Sequence, residues 1–404
     1  SILLLIISSA IVVLYVLKYK PKKQLSNIKE MYSEGLDMII NGNLRIAYKN
    51  FKSIIEKDTS NINAYLRLGQ VVRQGGNPEK ALKIHRGLNL RKGLTHYERI
   101  ELYKNLSLDY YKMGDLENAK LHSLDVLKIE KTNEWALSQL VKYSREMNDW
   151  LKAGEYLDKL QQLIKKPDLH KLALYKIQEG RVFAKNGNFV KARSIYEEAL
   201  NINADAIAAY YFIGKSYSEE SEEAYQKAVE AESDNIGHGG SSEYSNNLDQ
   251  AKLLLGKAIP MWIRYCESRP KQSWMVIHLL KDALFALDRY SEMENILKTV
   301  LHNDSNNIDV IASLADIYAQ RGENTEAIEF IDSALEKDDT SLLVRLIKLK
   351  LQARVKNGGS DITRELDDII HFLVTDKQFQ KYKNSSRDSD VLWLYEQSGD
   401  DIPE

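Results

Sequence analysis

Apolar residues recur along most of this chain at helical spacing, and the helical stretches come in pairs joined by short turns. Alanine marks the same point of the pattern at Ala47, Ala81, Ala119, Ala153, Ala192 and Ala327, and the steps 47→81 and 119→153 are each 34 residues. Met293, 34 residues before Ala327, fills this slot with a larger, adaptable side chain. Twelve residues before the slot most copies carry a small residue: Gly35, Gly69, Ser107, Gly180, Ala315. Five residues before it stands a turn glycine: Gly42, Gly76, Gly114, Gly187, Gly322. Small residues let the two helices of a pair approach closely, and glycine takes the turn between them. Tyr65, Tyr103, Tyr110, Phe51, Tyr196 and Tyr318 fill remaining core slots.

A helix-turn-helix unit of this length is the tetratricopeptide repeat. The chain is therefore expected to be all-α, a tetratricopeptide-repeat superhelix of about nine helical hairpins over residues 26–374, preceded by one transmembrane helix. Hairpins are predicted to start near Ile28, Asn63, Arg99, Asn133, Leu169, Ala206, Ser273, Ile308 and Thr340. The sixth is interrupted. Its first helix (Tyr210 to Tyr217) is separated from a second (about Leu248–Trp262) by an insertion at about 218–247, rich in Ser, Glu and Asn. Part of it, Glu222–Glu232, could be helical; the rest reads as a loop, either a docking insert or a tolerated insertion at a hairpin tip.

Before the repeats, Ile2–Leu17 carries no charge, spans roughly 24 Å as a helix, and runs into Lys18, Lys20, Lys22 and Lys23. Residues 1–20 are read as a retained single-pass anchor, and basic residues after the apolar run place the repeats in the cytoplasm. A cleaved signal peptide, the competing reading, would carry its positive charge first.

Composition narrows the function. Lys plus Arg (56) nearly balances Asp plus Glu (58), for a net charge of −2, which argues against nonspecific nucleic-acid binding, since that needs a basic stripe. The single cysteine, Cys266, excludes an internal disulfide framework and reads as a small apolar residue. The eight histidines form no His-x-x-x-His pair, and His85 reads as a packed surface side chain. Gly237-His238-Gly239-Gly240 lacks the Lys and Ser/Thr of a phosphate loop. No catalytic or cofactor residue is assigned, and the chain is expected not to be an enzyme. Repeats of this kind hold other proteins. By the repeat register Asn63, Leu66, Gln70, Arg73, Lys104, Tyr111 and Lys112 are expected on the concave, partner-binding face.

The stretch from Leu68-Gly69-Gln70 through Arg73 and Asn77-Pro78-Glu79-Lys80-Ala81 to His85, with Leu94-Thr95-His96-Tyr97-Glu98-Arg99 after it, resembles the lipopolysaccharide assembly protein B family. Leu108-Asp109-Tyr110, Gly114, Ala119, Ala136-Leu137-Ser138-Gln139-Leu140, Trp150 and Ala153 follow in that family's order. The resemblance covers the anchor and first five repeats well, and the later repeats in architecture only. It implies an adaptor of the bacterial inner membrane, without catalysis, that brings the lipid A-pathway deacetylase to a membrane ATP-dependent protease and so regulates lipopolysaccharide biosynthesis. The family ends in a rubredoxin-like metal ribbon. Here Phe379 and Trp393 stand at its aromatic positions, but Lys381, Asn384, Tyr395 and Ser398 replace its four cysteines. The resemblance thus implies that residues 375–404 are a metal-free remnant, disordered or packed on the last repeats. The lost metal site leaves open a second reading, a membrane-anchored scaffold for another envelope complex.

Overall fold

The computed structural model describes residues 27–234, 242–305, 307–336, 342–355, 366–367, 370–371 and 389–399. Among these, every regular element is helical and none is long and apolar enough to cross a membrane. The expected anchor, residues 1–20, lies outside them, as do Phe379, Lys381 and Asn384. The chain divides after Pro167 into two compact units.

The first unit contains four antiparallel hairpins: α1 (27–40) with α2 (Leu44–Lys57), α3 (Ile62–Gln74) with α4 (Pro78–Asn89), α5 (His96–Lys112) with α6 (Leu116–Ile129), and α7 (Glu134–Glu146) with α8 (Trp150–Ile164). Their boundaries are written in local chemistry. The side chains of Asn61, Asp115, Asn133 and Asp149 each accept the free backbone N–H three residues on. Thr95 and Glu98 close a reciprocal capping box, and Pro78 opens α4 where its missing N–H costs nothing. The hairpin turns need a left-handed residue, supplied by Gly76 (φ +83°) and Gly114 (φ +80°). At the equivalent turn of the fourth hairpin Asn148 takes this conformation (φ 56°), as Asp288 does in the seventh (φ 55°). These two residue types tolerate it best after glycine.

In the first three pairs, the small residue of the first helix faces a side chain sixteen positions later on the second. A Cβ added at Gly35 would meet the Phe51 ring, and one at Gly69 the His85 ring, at 3 Å or less. His85 is therefore fully buried rather than on the surface: it occupies the core slot that Phe51 fills one repeat earlier. A buried imidazole requires partners. Asp109 of α5 supplies one, its Oδ2 2.5 Å from His85 Nδ1, while Leu66 O lies 3.3 Å from Nε2. The other carboxylate oxygen accepts from Arg73 Nη1 of α3 at 2.7 Å, and Arg73 also donates to Asn105. Asp109 and His85 are 0% exposed and Arg73 8%, so this three-helix ion cluster is held in low dielectric. One slot further, Ser107 pairs with Ser123 at 2.9 Å and with Tyr143 at 3.1 Å.

The second unit opens with α9 (Leu169–Lys185) and α10 (Phe189–Ile202), where the Tyr196 ring fills the space above Gly180. The sixth pair, α11 (Ala208–Asp234) and α12 (Ser242–Ser268), differs from expectation: its two helices are 27 residues each. The part expected to be able to form helix, 222–232, does so, and 218–221, 233–234 and 242–247, read as loop, are extra turns of the same two helices. Ala224, Ala251 and Leu254 give these turns their own small core, and Ser221 Oγ donates to Ala251 O at 2.7 Å. Trp262 packs over Gly214, and Cys266 is buried beside it with burial pushing its thiol up. Next come α13 (Trp274–Ala286) with α14 (Met293–Asn303), α15 (Ile308–Gln320) with α16 (Asn324–Leu335), and α17 (Leu342–Val355). The helix starts lie within a few residues of those predicted.

One last helix, α18 (Asp390–Ser398), covers ground read as ribbon remnant. Ser389 caps its start and Gly399, at φ +67°, its end. It packs against α9 and α11, of the fifth and sixth pairs, and its capping Ser389 reaches Met275 of α13.

Two outcomes follow for stability. Gly69→Ala and Gly114→Ala should each cost about 1–3 kcal/mol, the first by overpacking and the second by backbone strain. In a double-mutant cycle His85→Ala should relieve the first and leave the second unchanged, and equal additivity in both cycles would refute the packing account. Arg73→Ala should cost about 3–5 kcal/mol in urea unfolding of the first unit, because it leaves Asp109 buried with one charge partner fewer. Lys112→Ala, on an exposed side chain, should stay within about 0.5 kcal/mol.

Candidate partner-binding faces

In the first unit α3, α5 and α7 follow one another along one face, and the predicted residues divide there. Asn63 and Lys112 are exposed, and Gln70 is half-buried, accepting from Arg67 at 2.7 Å. Leu66 points inward to a cluster with Leu82, Leu88, Leu102 and Leu106 and offers no side chain to a partner. Arg73 is committed to Asp109 and Asn105. The repeat register identifies the helix turn that lies near the face but not the neighbour that claims its side chain.

Lys104 and Tyr111 are on the face, and each is held in place by α7. Lys104 Nζ sits 3.0 Å from Glu101 Oε1 and 5.7 Å from the centre of the Trp135 ring. The Tyr111 ring stacks on Tyr143 at 5.1 Å, carries Lys142 Nζ at 4.0 Å, and its hydroxyl donates to Glu146 at 3.0 Å. Cations over aromatic rings and fixed tyrosines lose little freedom on binding, which favours them as contact residues. Trp135, Lys142 and Glu146 escaped the sequence reading, although they belong to the next repeat's first helix and were legible as the neighbours of Lys104 and Tyr111.

The second unit holds a groove that is already filled. Tyr175, Gln178 and Arg181 of α9 and Tyr211, Phe212 and Lys215 of α11 line it, and α18 lies in it with Val391, Leu394 and Tyr395 buried. Gln178 Nε2 and Arg181 Nη1 both donate to the Leu394 carbonyl, and Arg181 also to Ser398 Oγ at 3.1 Å. The Arg181 guanidinium lies 4.3 Å from the Tyr395 ring centre and 5.0 Å from that of Phe212. Lys215 Nζ donates to the Tyr395 hydroxyl at 2.8 Å, and burial pushes that phenol up. At the rim His170 Nε2 meets Asp390 at 3.0 Å. Tyr395 and Ser398, two of the residues at the ribbon's cysteine positions, thus serve as packing and hydrogen-bonding groups.

Neither face carries an assembled nucleophile and base. Among the described residues no three His, Cys, Asp or Glu side chains gather as a metal site. A surface depression of about 490 Å³ between α2, α3 and α4 is lined by Tyr48, Val71, Arg45, Lys80 and Lys83 with no carboxylate among its lining residues.

The tetratricopeptide repeat family matches residues 279–351. Lipopolysaccharide assembly protein B of Escherichia coli K12 is 22% identical over 200 residues, 50% of this chain and 51% of that protein. The Haemophilus influenzae protein of the same name is 24% identical over 202 residues, 47% of this chain and 50% of its own length. The chain spans about half the length of these relatives. Among solved structures, the C-terminal part of a repeat protein from Cytophaga hutchinsonii covers 69% of this chain and is itself covered to 98%, at 14% identity and a TM-score of 0.35. Pseudomonas aeruginosa pilF covers 62%, is covered to 100%, and is 16% identical with a TM-score of 0.33. Residues 279–351 match the tetratricopeptide repeat, and over about half its length the chain is similar to lipopolysaccharide assembly protein B.

Proposed function

We propose that this chain is a membrane-tethered adaptor without catalysis of its own. Through its repeats it brings a lipid A-pathway deacetylase to a membrane ATP-dependent protease, and so sets the rate of lipopolysaccharide synthesis. The observation that carries the adaptor reading is the row Lys104, Trp135, Tyr111 and Lys142, whose rings and cations are pre-positioned on one face with their polar ends toward solvent. Tyr and Trp are the residue types that most often anchor interfaces. Similarity to lipopolysaccharide assembly protein B supports the pathway. The apolar run Ile2–Leu17 and its lysines support a tether at the bacterial inner membrane with the repeats in the cytoplasm. Tethering raises the effective concentration at which weak contacts with a membrane-bound partner become productive. A scaffold for another envelope complex is the second reading, favoured by the absence of cysteine at Lys381, Asn384, Tyr395 and Ser398.

Affinity capture from native membranes separates them. The wild-type chain should retain the protease and the deacetylase, and Lys104→Ala with Tyr111→Ala should reduce both by about tenfold, equivalent to 1.4 kcal/mol, while the melting curve stays in place. Undiminished capture by the double variant would remove this face from the interface. Capture of an envelope assembly without either enzyme would establish the second reading.

A further inference from the structure

The groove of the second unit treats α18 as a ligand. Its nine residues are too few for a stable isolated helix, so its order comes from the groove. It also arrives from far along the chain: Leu394 lies 216 residues from Gln178, its hydrogen-bond donor. The recognition chemistry is that of a helix laid in a groove. Val391, Leu394 and Tyr395, at i, i+3 and i+4, enter the apolar floor, and polar contacts at His170 and Lys215 close the ends. The strongest donors, Gln178 and Arg181, converge on a main-chain carbonyl that any helix of this length can offer. The side-chain requirement reduces to an aliphatic residue at the Leu394 position and an aromatic one beneath Arg181, with a hydroxyl for Lys215.

We propose that this groove is a helix-binding site in which α18 is an exchangeable intramolecular ligand. Its competing occupant is a partner's short amphipathic helix carrying the same apolar-x-x-Leu-Tyr face. Occupation by α18 lowers the partner's apparent affinity by the fraction of time the groove is open, so the partner binds fully only when α18 leaves. The inference rests on the adaptor reading for the existence of a partner. Its test uses only this chain and a peptide, so a failure here leaves the capture experiment undecided and separately readable.

Hydrogen exchange on the wild-type chain comes first. Amides of 390–398 should exchange at least about tenfold faster than those of α9 and α11, through local opening. Exchange of all three at one rate would make α18 a fixed member of the core and overturn the proposal. A labelled synthetic peptide of residues 388–399 is the second probe. It should bind the Leu394→Asp chain, whose own helix is expelled, at least about tenfold more tightly than the wild-type chain, and Tyr395→Ala in the peptide should abolish the gain. No binding to a Leu394→Asp chain that retains its helical signal would refute the site. Concentration-dependent dimerisation of the wild-type chain through exchanged α18 helices would refute the partner in favour of a second copy. If Leu394→Asp fails to fold, hydrogen exchange alone decides.

Discussion

Everything in these hairpins depends on how closely their two helices can approach, and that distance is set where a small residue on the first helix meets a side chain sixteen positions later on the second. Gly35 admits a phenyl ring and Gly180 a phenol, while Ala315 shares a small aliphatic cluster with Ile331. In the extended sixth pair Gly214 admits the indole of Trp262, which reaches the slot from 48 residues away. The volume of the pair of residues is shared out differently in each repeat, but the slot is filled each time. Close packing tolerates this trade because the sum, rather than either member, determines the void.

Two of these slots are polar, and there the architecture carries a further demand. His85 and Ser123 take positions that hydrocarbon fills elsewhere, and each draws in a group from the next pair: Asp109, which also pairs with Arg73, at the imidazole, and Tyr143 at the serine pair. Burying such groups contributes little net stability, because desolvation offsets much of the attraction. What it adds is geometric selectivity, since a repeat shifted out of register would strand a charge. The same restraint underlies the face beside it, where Tyr143 fixes the ring of Tyr111.

The repeat architecture was legible because close packing leaves a spacing in the sequence. The turn position was legible too, even where Asn148 and Asp288 replace glycine. Three features were misread for definable reasons. His85 stands four residues after Ala81, as Phe51 does after Ala47, so register already placed it in the core; its polarity drew the surface reading. Ala224 and Ala228 did point to helix over 222–232, but the serines and asparagines beside that stretch suggested a loop at 218–221 and 242–247, which are further turns of the same pair. The last helix has a capping serine, apolar residues at Val391, Leu394 and Tyr395, and Gly399 at its end. Comparison with a metal ribbon directed attention to missing cysteines instead. What no local pattern could supply is its address, since a groove formed by Arg181, Tyr211 and Phe212 is a property of packed helices. Arg73 illustrates the same limit: its turn of helix was predicted, but its pairing with Asp109 required the neighbouring repeat.

The carboxylate of Asp109 has one more consequence. Solenoids usually fray from their ends, since each repeat touches only its neighbours and can detach at the cost of one interface. Here one side chain of the third hairpin is bonded to both helices of the second. Melting either of those helices alone would strand ionic groups in a nonpolar interior, so the second and third hairpins are bound to unravel together. Fraying from the N-terminal side of the first unit therefore meets a cooperative block at the second hairpin rather than a series of single, separable repeats.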